Sequence, residues 1–211
     1  MKVTRYPFQV LSPAHILFWL LLLALPCIAP AQNPAQDFVI LHSGDTLYGT
    51  VRYINDGAVS PKLYKKIRWK DARGRGKKIS RKNIRAFRVQ GDVFESFYLR
   101  QYSRKITLVN PRYDISPQKG QHHFLKLVEK GRLSHYQLEW IEQGESALSA
   151  MDLFKKESDT FFIRATQGLL GLKRQVLTNY FADCPALATQ IGDKQINNLQ
   201  EIVDFYNKNC D

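Results

Sequence analysis

The sequence predicts an α+β protein: an antiparallel β-rich N-terminal part, made of hairpins in a small sheet or partial barrel, followed by a C-terminal tail of about three helices. Three observations carry this. Apolar residues alternate with polar ones at period two from Phe38 onward. Turn signals such as Ser43-Gly44-Asp45 and Gly91-Asp92 punctuate the alternation at hairpin spacing. After Thr166 the period changes to that of a helix. Strands first and helices last is the α+β order.

The elements follow in sequence. FVILHSGDTLYGTVRYI holds two β runs around its Ser-Gly-Asp turn, with Leu47, Gly49, Val51 and Tyr53 on one face of the second. KLYKKIRWK, residues 62–70, places Leu63, Lys65, Ile67 and Trp69 opposite Tyr64, Lys66, Arg68 and Lys70. DARGRGKK is a charged turn, and ISRKNIRAFRV, VFESFYLR and KITLV are further strands. NPRYDISPQKGQ, residues 110–121, is rich in Pro, Gly and polar groups and reads as a linker. HFLKLVEKGRLSHYQLEWIE is a hairpin turning at Glu129–Arg132. EQGESALSAMDLFKKESD reads as a long loop, and Thr160–Thr166 as a last short strand. In the tail, Leu169, Leu170, Lys173, Val176, Leu177, Tyr180 and Phe181 share a helical face. Pro185 opens a second helix that Gly192 closes. Ile196, Leu199, Ile202, Val203 and Tyr206 mark a third.

The first 31 residues form a separate unit. Lys2 and Arg5 precede an apolar run from Ile16 to Leu25, and Ala29 and Ala31 stand where a signal peptidase takes small side chains. The run has half the roughly 20 apolar residues of a membrane-spanning helix. Residues 1–31 are thus expected to be a cleaved signal peptide, leaving Gln32 first in a periplasmic or extracellular protein. Lipidation at Cys27 is disfavoured by Pro26 just before it. The remainder divides by charge. The chain is +12 overall. Residues 52–105 carry seventeen Lys or Arg against four acids, and residues 106–211 carry twelve against thirteen. The expected organisation is a basic β-rich module at 32–109, the linker at 110–121, and a hairpin with helices at 122–211. Cys27 leaves with the signal peptide, so Cys184 and Cys210 remain as a pair. In an oxidising compartment such a pair predicts a disulfide.

The segments GDTLYGTV, FLKLVEKGRLSHY and YFADCPAL…IVDFYN, in that order, resemble an uncharacterised family of exported Bacteroidota proteins. That family shows a short Gly-Asp-Thr hairpin, a later "FLK…G" hairpin and a helical tail with "DCP" and "YN". The resemblance implies export and this order of elements. The family has no assigned activity, so no catalytic residue is implied.

Motifs for chemistry are sparse. The mature histidines His42, His122, His123 and His135 show no metal-ligand spacing, and the two adjacent ones point to opposite faces of an extended chain. There is no Gly-x-Ser-x-Gly elbow and no phosphate-binding loop. No cofactor is expected. The stretch KDARGRGKKISRKNIRAFR, Lys70–Arg88, is the marked feature, with nine Lys or Arg and Asp71 as its one acid. Arg73, Arg75, Lys77, Lys78, Arg81 and Lys82 are the candidate anion- or partner-binding residues. An exported chain meets lipid head groups, acidic glycans and acidic proteins, all drawn to a basic surface. The bland reading is a solvated hairpin whose charges guard a strand edge. Three function classes follow: a non-enzymatic envelope protein that binds or scaffolds through this hairpin, an exported glycan-directed hydrolase with a carboxylate pair in a cleft, and a nucleic-acid binder using Tyr64, Trp69 and Phe87 as stacking platforms.

Overall fold

The computed structural model describes residues 36–53, 66–101, 112–141 and 148–210. It is an α+β fold, mostly antiparallel β, with three helices at its C-terminal end. The strands are β1 (Phe38–Leu41), β2 (Thr46–Tyr48), β3 (Thr50–Tyr53), β4 (Lys66–Lys70), β5 (Gly76–Ser80), β6 (Ile84–Val89), β7 (Asp92–Gln101), β8 (Arg112–Ile115), β9 (Gln121–Glu129), β10 (Leu133–Ile141), β11 (Leu148–Lys156) and β12 (Phe161–Arg164). The helices are α1 (Arg174–Tyr180), α2 (Pro185–Gly192) and α3 (Leu199–Asn209).

The larger sheet runs β2-β1-β6-β7-β8-β12-β11-β10-β9, and β9 pairs again with β7. That last pairing, from Val93↔Leu127 to Leu99↔Gln121, closes β7, β8, β12, β11, β10 and β9 into an antiparallel barrel. β7 makes closure possible by its length. One edge bonds β9, while the other bonds β6 at Asp92–Glu95 and β8 at Leu99–Gln101. β6, β1 and β2 therefore leave the barrel as a flap. A separate sheet, β3-β4-β5, packs on that flap through Val51, Ile67 and Ile79, which meet Val39, Ile84, Phe87 and Phe94. Asp37 holds the junction, accepting from the Val51 and Gln90 amides at 3.1 Å each. A Cβ on Gly49 would overlap the Lys70 carbonyl oxygen, so only glycine lets β2 turn into β3 beside the end of β4.

Alternation along each barrel strand sends residues inward and outward in turn. Leu99, Tyr113, Leu125, Tyr136, Leu153 and Phe162 fill the interior, where Phe97 meets Phe162 and Tyr136 edge-on, with centroids 4.9 and 5.5 Å apart. Leu133, Phe154 and Ile163 face the other way and pack on Leu177, Phe181, Leu187, Ile202 and Val203 of the helices. The helices have 7, 8 and 11 residues, below the roughly 12–15 at which an isolated helix becomes marginally stable. Their stability comes from this apolar contact and from covalent closure: Cys184, before α2, is disulfide-bonded to Cys210, after α3.

The outer barrel face also carries a buried polar cluster. Asp152 accepts from His135 Nε2 at 3.0 Å, Gln137 Nε2 at 3.0 Å and Thr166 Oγ1 at 3.1 Å. Burial pushes its carboxyl up, but those hydrogen bonds outweigh burial and hold it below the ordinary value of 3.8. A lowered folded-state pKa means the stabilisation is present above the unfolded-state value and lost as pH falls through the folded one. Asp152→Asn is therefore expected to lower stability at neutral pH and to give a shallower acid limb than wild type in denaturant melts between pH 6 and 2. An unchanged acid limb would remove Asp152 from the account of acid sensitivity.

Three sequence expectations are corrected here. The stretch 110–121 is not a plain linker: Arg112–Ile115 is β8, a barrel strand between β7 and β12. Residues 35–211 form one compact unit. The expected loop over 142–159 contains β11, which pairs with β10 from Leu133↔Lys156 to Ile141↔Leu148. Its alternation is hidden because both faces are covered, Leu153 by the interior and Phe154 by the helices, and buried strands lose the period-two signal. The first helix also starts later than expected. Gly168–Leu170 is a 3-10 turn, and Gly171, at φ +76°, separates it from α1. The expected strand at 105–109, and Leu63, Tyr64 and Lys65, lie outside the described residues.

Candidate functional site

The six candidate cations do not form one patch. β4 and β5 make the hairpin, and its turn is organised by Asp71, which accepts from the Arg73 and Arg75 amides at 2.9 and 2.8 Å. Gly74, at φ +78°, supplies the left-handed residue the turn needs. Asp71 also pairs with the Arg75 guanidinium at 2.9 Å, so Arg75 is partly neutralised at the tip. Lys77 lies opposite Trp69 with its ammonium 5.9 Å from the ring centroid. Arg81 and Lys82 sit in a 3-10 turn, Arg81–Asn83, that leads into β6. Arg81 faces the histidines: burial first, then Arg81, His123 and His42, bring His122 down to about 4. Lys78 alone projects to the outer face of the small sheet.

On that face the register builds a different site. Arg52 on β3 lies directly opposite Arg68 on β4, and Arg68 lies directly opposite Lys78 on β5. The three cations make a row across three strands, and neighbouring strands are about 4.8 Å apart. Lys70, two residues from Arg68, extends the same face. All four side chains are exposed, and among the described residues none is in an ion pair. Like charges directly opposite across strands are destabilising, and no acid among the described residues pairs with them. Of the row, sequence reasoning had picked out Lys78. Arg52 and Arg68 are separated from it by a non-local pairing that no local motif announces.

Among the described residues the stacking platforms expected of a nucleic-acid binder, Trp69 and Phe87, belong to the core. Phe87 is fully buried between Phe94 and Phe124, and Trp69 packs against the same core. Tyr64 is outside the described residues.

A half-open cavity of about 400 Å³ lies at one mouth of the barrel, lined by Glu95, Phe97, Lys130, Ser134, Tyr136, Lys155 and Glu157. Glu95 and Glu157 are its carboxylates. Glu95 has both oxygens engaged, one by the Tyr136 hydroxyl at 2.7 Å and one by Lys130 at 3.5 Å. Among the described residues no group of His, Cys, Asp or Glu is placed to hold a metal ion.

These features define a class of molecule: a side-chain-filled antiparallel barrel with a basic three-stranded sheet on one flank and a disulfide-closed helical tail on another. No family model, curated protein or solved structure matches the chain.

Proposed function

We propose that this is an exported, non-catalytic protein of the cell envelope that binds anionic head groups at a membrane surface through the outer face of β3-β4-β5. The observation that carries the reading is the exposed row Arg52–Arg68–Lys78, with Lys70 beside it and no acid among the described residues of that face. The face belongs to a sheet and suits a planar array of charges better than a strand of bases. Export is supported by the three-part pattern of residues 1–31, by the likeness to exported Bacteroidota proteins, and by the Cys184–Cys210 disulfide, which belongs to an oxidising compartment. None of the described helices is long and apolar enough to cross a membrane, so attachment in this reading is peripheral.

Two measurements test it. Protein recovered from the producing cell is expected to start at Gln32; N-terminal sequencing that finds Met1 would remove the export argument. The second measurement is binding to vesicles containing phosphatidylglycerol. Each Lys or Arg near an anionic surface contributes about 1 kcal/mol, so the triple variant Arg52→Ser, Arg68→Ser, Lys78→Ser is expected to bind at least about tenfold more weakly. Its melting temperature should hold or rise slightly, because like-charge contacts are relieved. The tip variant Arg73→Ser, Arg75→Ser should bind nearly as wild type. The reverse ranking would return the site to the hairpin tip. Retained binding in both variants would end the proposal, and a preference for soluble acidic polysaccharide over vesicles would replace the lipid surface with a glycan.

A further inference from the structure

The cavity at the barrel mouth is not used by the cationic face, and it holds spare hydrogen-bond donors. Tyr136, at its floor, donates to Glu95 Oε2 at 2.7 Å and accepts from Lys130 Nζ at 3.3 Å. Lys130 also reaches Glu95 Oε1 at 3.5 Å, which completes that carboxylate. Ser134 donates to the Gly131 carbonyl at 3.0 Å and accepts from the Gly131 amide at 3.3 Å, so its hydroxyl is closed on its own turn. Lys155 donates to the Lys156 and Glu157 carbonyls at 3.0 and 3.2 Å. An ammonium has three protons and no acceptor site. Lys130 and Lys155 therefore each keep one donor in hand, while the cavity's inner acceptors are already engaged. Among the described residues Lys155 is in no ion pair, although it is half-buried. Burial accordingly pushes it below the ordinary value; Asp159, Glu157 and Glu95 oppose that, and Lys130 reinforces it.

What remains is a recess with an aromatic wall, Phe97 and Tyr136, and two ammoniums that each have one proton beyond those already donated. We infer that the barrel mouth is a binding site for a small carboxylate, whose acid group bridges Lys130 and Lys155 and whose body lies against Phe97 and Tyr136. The position agrees with where barrels hold ligands, and the volume is within the 300–1,000 Å³ usual for small-molecule sites. A carboxylate would also give Lys155 a direct ion-pair partner, which it lacks among the described residues. This inference is independent of the lipid-binding face, which lies on another sheet.

The probes are benzoate and glucuronate, each against its neutral counterpart, benzamide and glucose, followed by amide chemical shifts of the folded chain. A single small acid held by two ammoniums is a weak ligand, so titration to about 20 mM covers the dissociation constants expected. At least one acid should give saturable shifts at Gly131, Ser134, Tyr136 and Lys155, and the neutral counterpart should not. Lys130→Met and Lys155→Met should each weaken binding by about tenfold or more, the value of a hydrogen bond to a charged group. Lys130 is exposed, so its variant keeps the fold even if Lys155→Met does not. No saturable shifts with either acid, shifts elsewhere, equal response to the neutral counterparts, or unchanged affinity in Lys130→Met would each overturn the inference.

Discussion

Replacing both Cys184 and Cys210 by Ala is expected to lower the unfolding free energy by about 3–4 kcal/mol, the chain-entropy value for a bridge closing a loop of this length. The two cysteines are 26 residues apart in sequence, and the loop between them contains all of α2 and α3. Neither helix is long enough to persist alone. The bridge also brings together the two ends of the tail that press Leu187, Ile191, Ile202 and Val203 onto the barrel. Its loss frees the unfolded chain and loosens that contact at once. Guanidinium melts of wild type and double variant give the difference, and thiol labelling of the unfolded, unreduced wild type should find no free cysteine. A difference under about 1 kcal/mol, below the roughly 2–5 kcal/mol typical of native bridges in small secreted domains, would mean the tail is held by packing alone.

Local pairing and local composition made part of this molecule legible. The β9–β10 hairpin could be read because its strands are adjacent and its turn carries Gly131 between polar residues. The helical tail could be read because Leu177, Leu187, Ile191, Ile202 and Val203 recur at helical spacing, and the disulfide because only two cysteines follow residue 31. Barrel closure could not be read. It depends on β7 being long enough to bond three neighbours, and no residue of β7 states that. β8 was hidden by Asn110-Pro111 and Ser116-Pro117 on either side of a four-residue strand. The two candidate sites share this difficulty. The cationic row needs the register of β3 with β4 and β5, and the mouth needs Glu95, Lys130, Tyr136 and Lys155 brought together by closure. The run of basic residues that drew attention in the sequence was the part of the charge visible along the chain. The part visible across it is Arg52–Arg68–Lys78.

The hairpin turn and the helical tail are joined by a set of side-chain contacts. Gly131 of the hairpin lies against Asn207 of α3, and a Cβ there would collide with the Asn207 amide. Asn207 donates to the Leu133 carbonyl at 3.1 Å and accepts from the Leu133 amide at 2.8 Å, as a neighbouring strand would. Arg132 reaches the Tyr206 and Asn207 carbonyls at 3.3 Å. Asp183, before the bridged Cys184, accepts from Tyr206 at 2.8 Å. Gly131–Leu133, Asp183 and Tyr206–Asn207 thus form one joint between hairpin and tail, which gives them a stabilising role.

At the centre of that joint is Lys156, and Lys156→Met is expected to destabilise the protein by about 3 kcal/mol. The ammonium donates to Asp183 Oδ1 at 2.6 Å and to the Tyr180 carbonyl at 2.7 Å. It also lies 4.4, 5.5 and 5.4 Å from the ring centroids of Tyr180, Phe181 and Tyr206. Its side chain is 13% exposed, whereas that of Asp183 is 46% exposed. Methionine keeps the aliphatic stem, so the loss isolates the charge. Hydrogen bonds to charged groups contribute about 1.5–3 kcal/mol, and a desolvated cation–π contact about 2 kcal/mol. Water reaches Asp183 and re-solvates it when Lys156 is gone, which argues against the full penalty of a broken buried pair. The effect is also pH-dependent. Burial raises the Asp183 carboxyl, but hydrogen bonds from Lys156 and Tyr206 outweigh it and hold it below 3.8. The pair's contribution is therefore present above that value and lost as pH falls through the lower folded-state one. Urea melts of both proteins at pH 7 and pH 3 should show the difference shrinking on acidification. A loss below about 1 kcal/mol at pH 7, the ceiling for an exposed ion pair, would show that aromatic packing and the disulfide hold the tail without the cation.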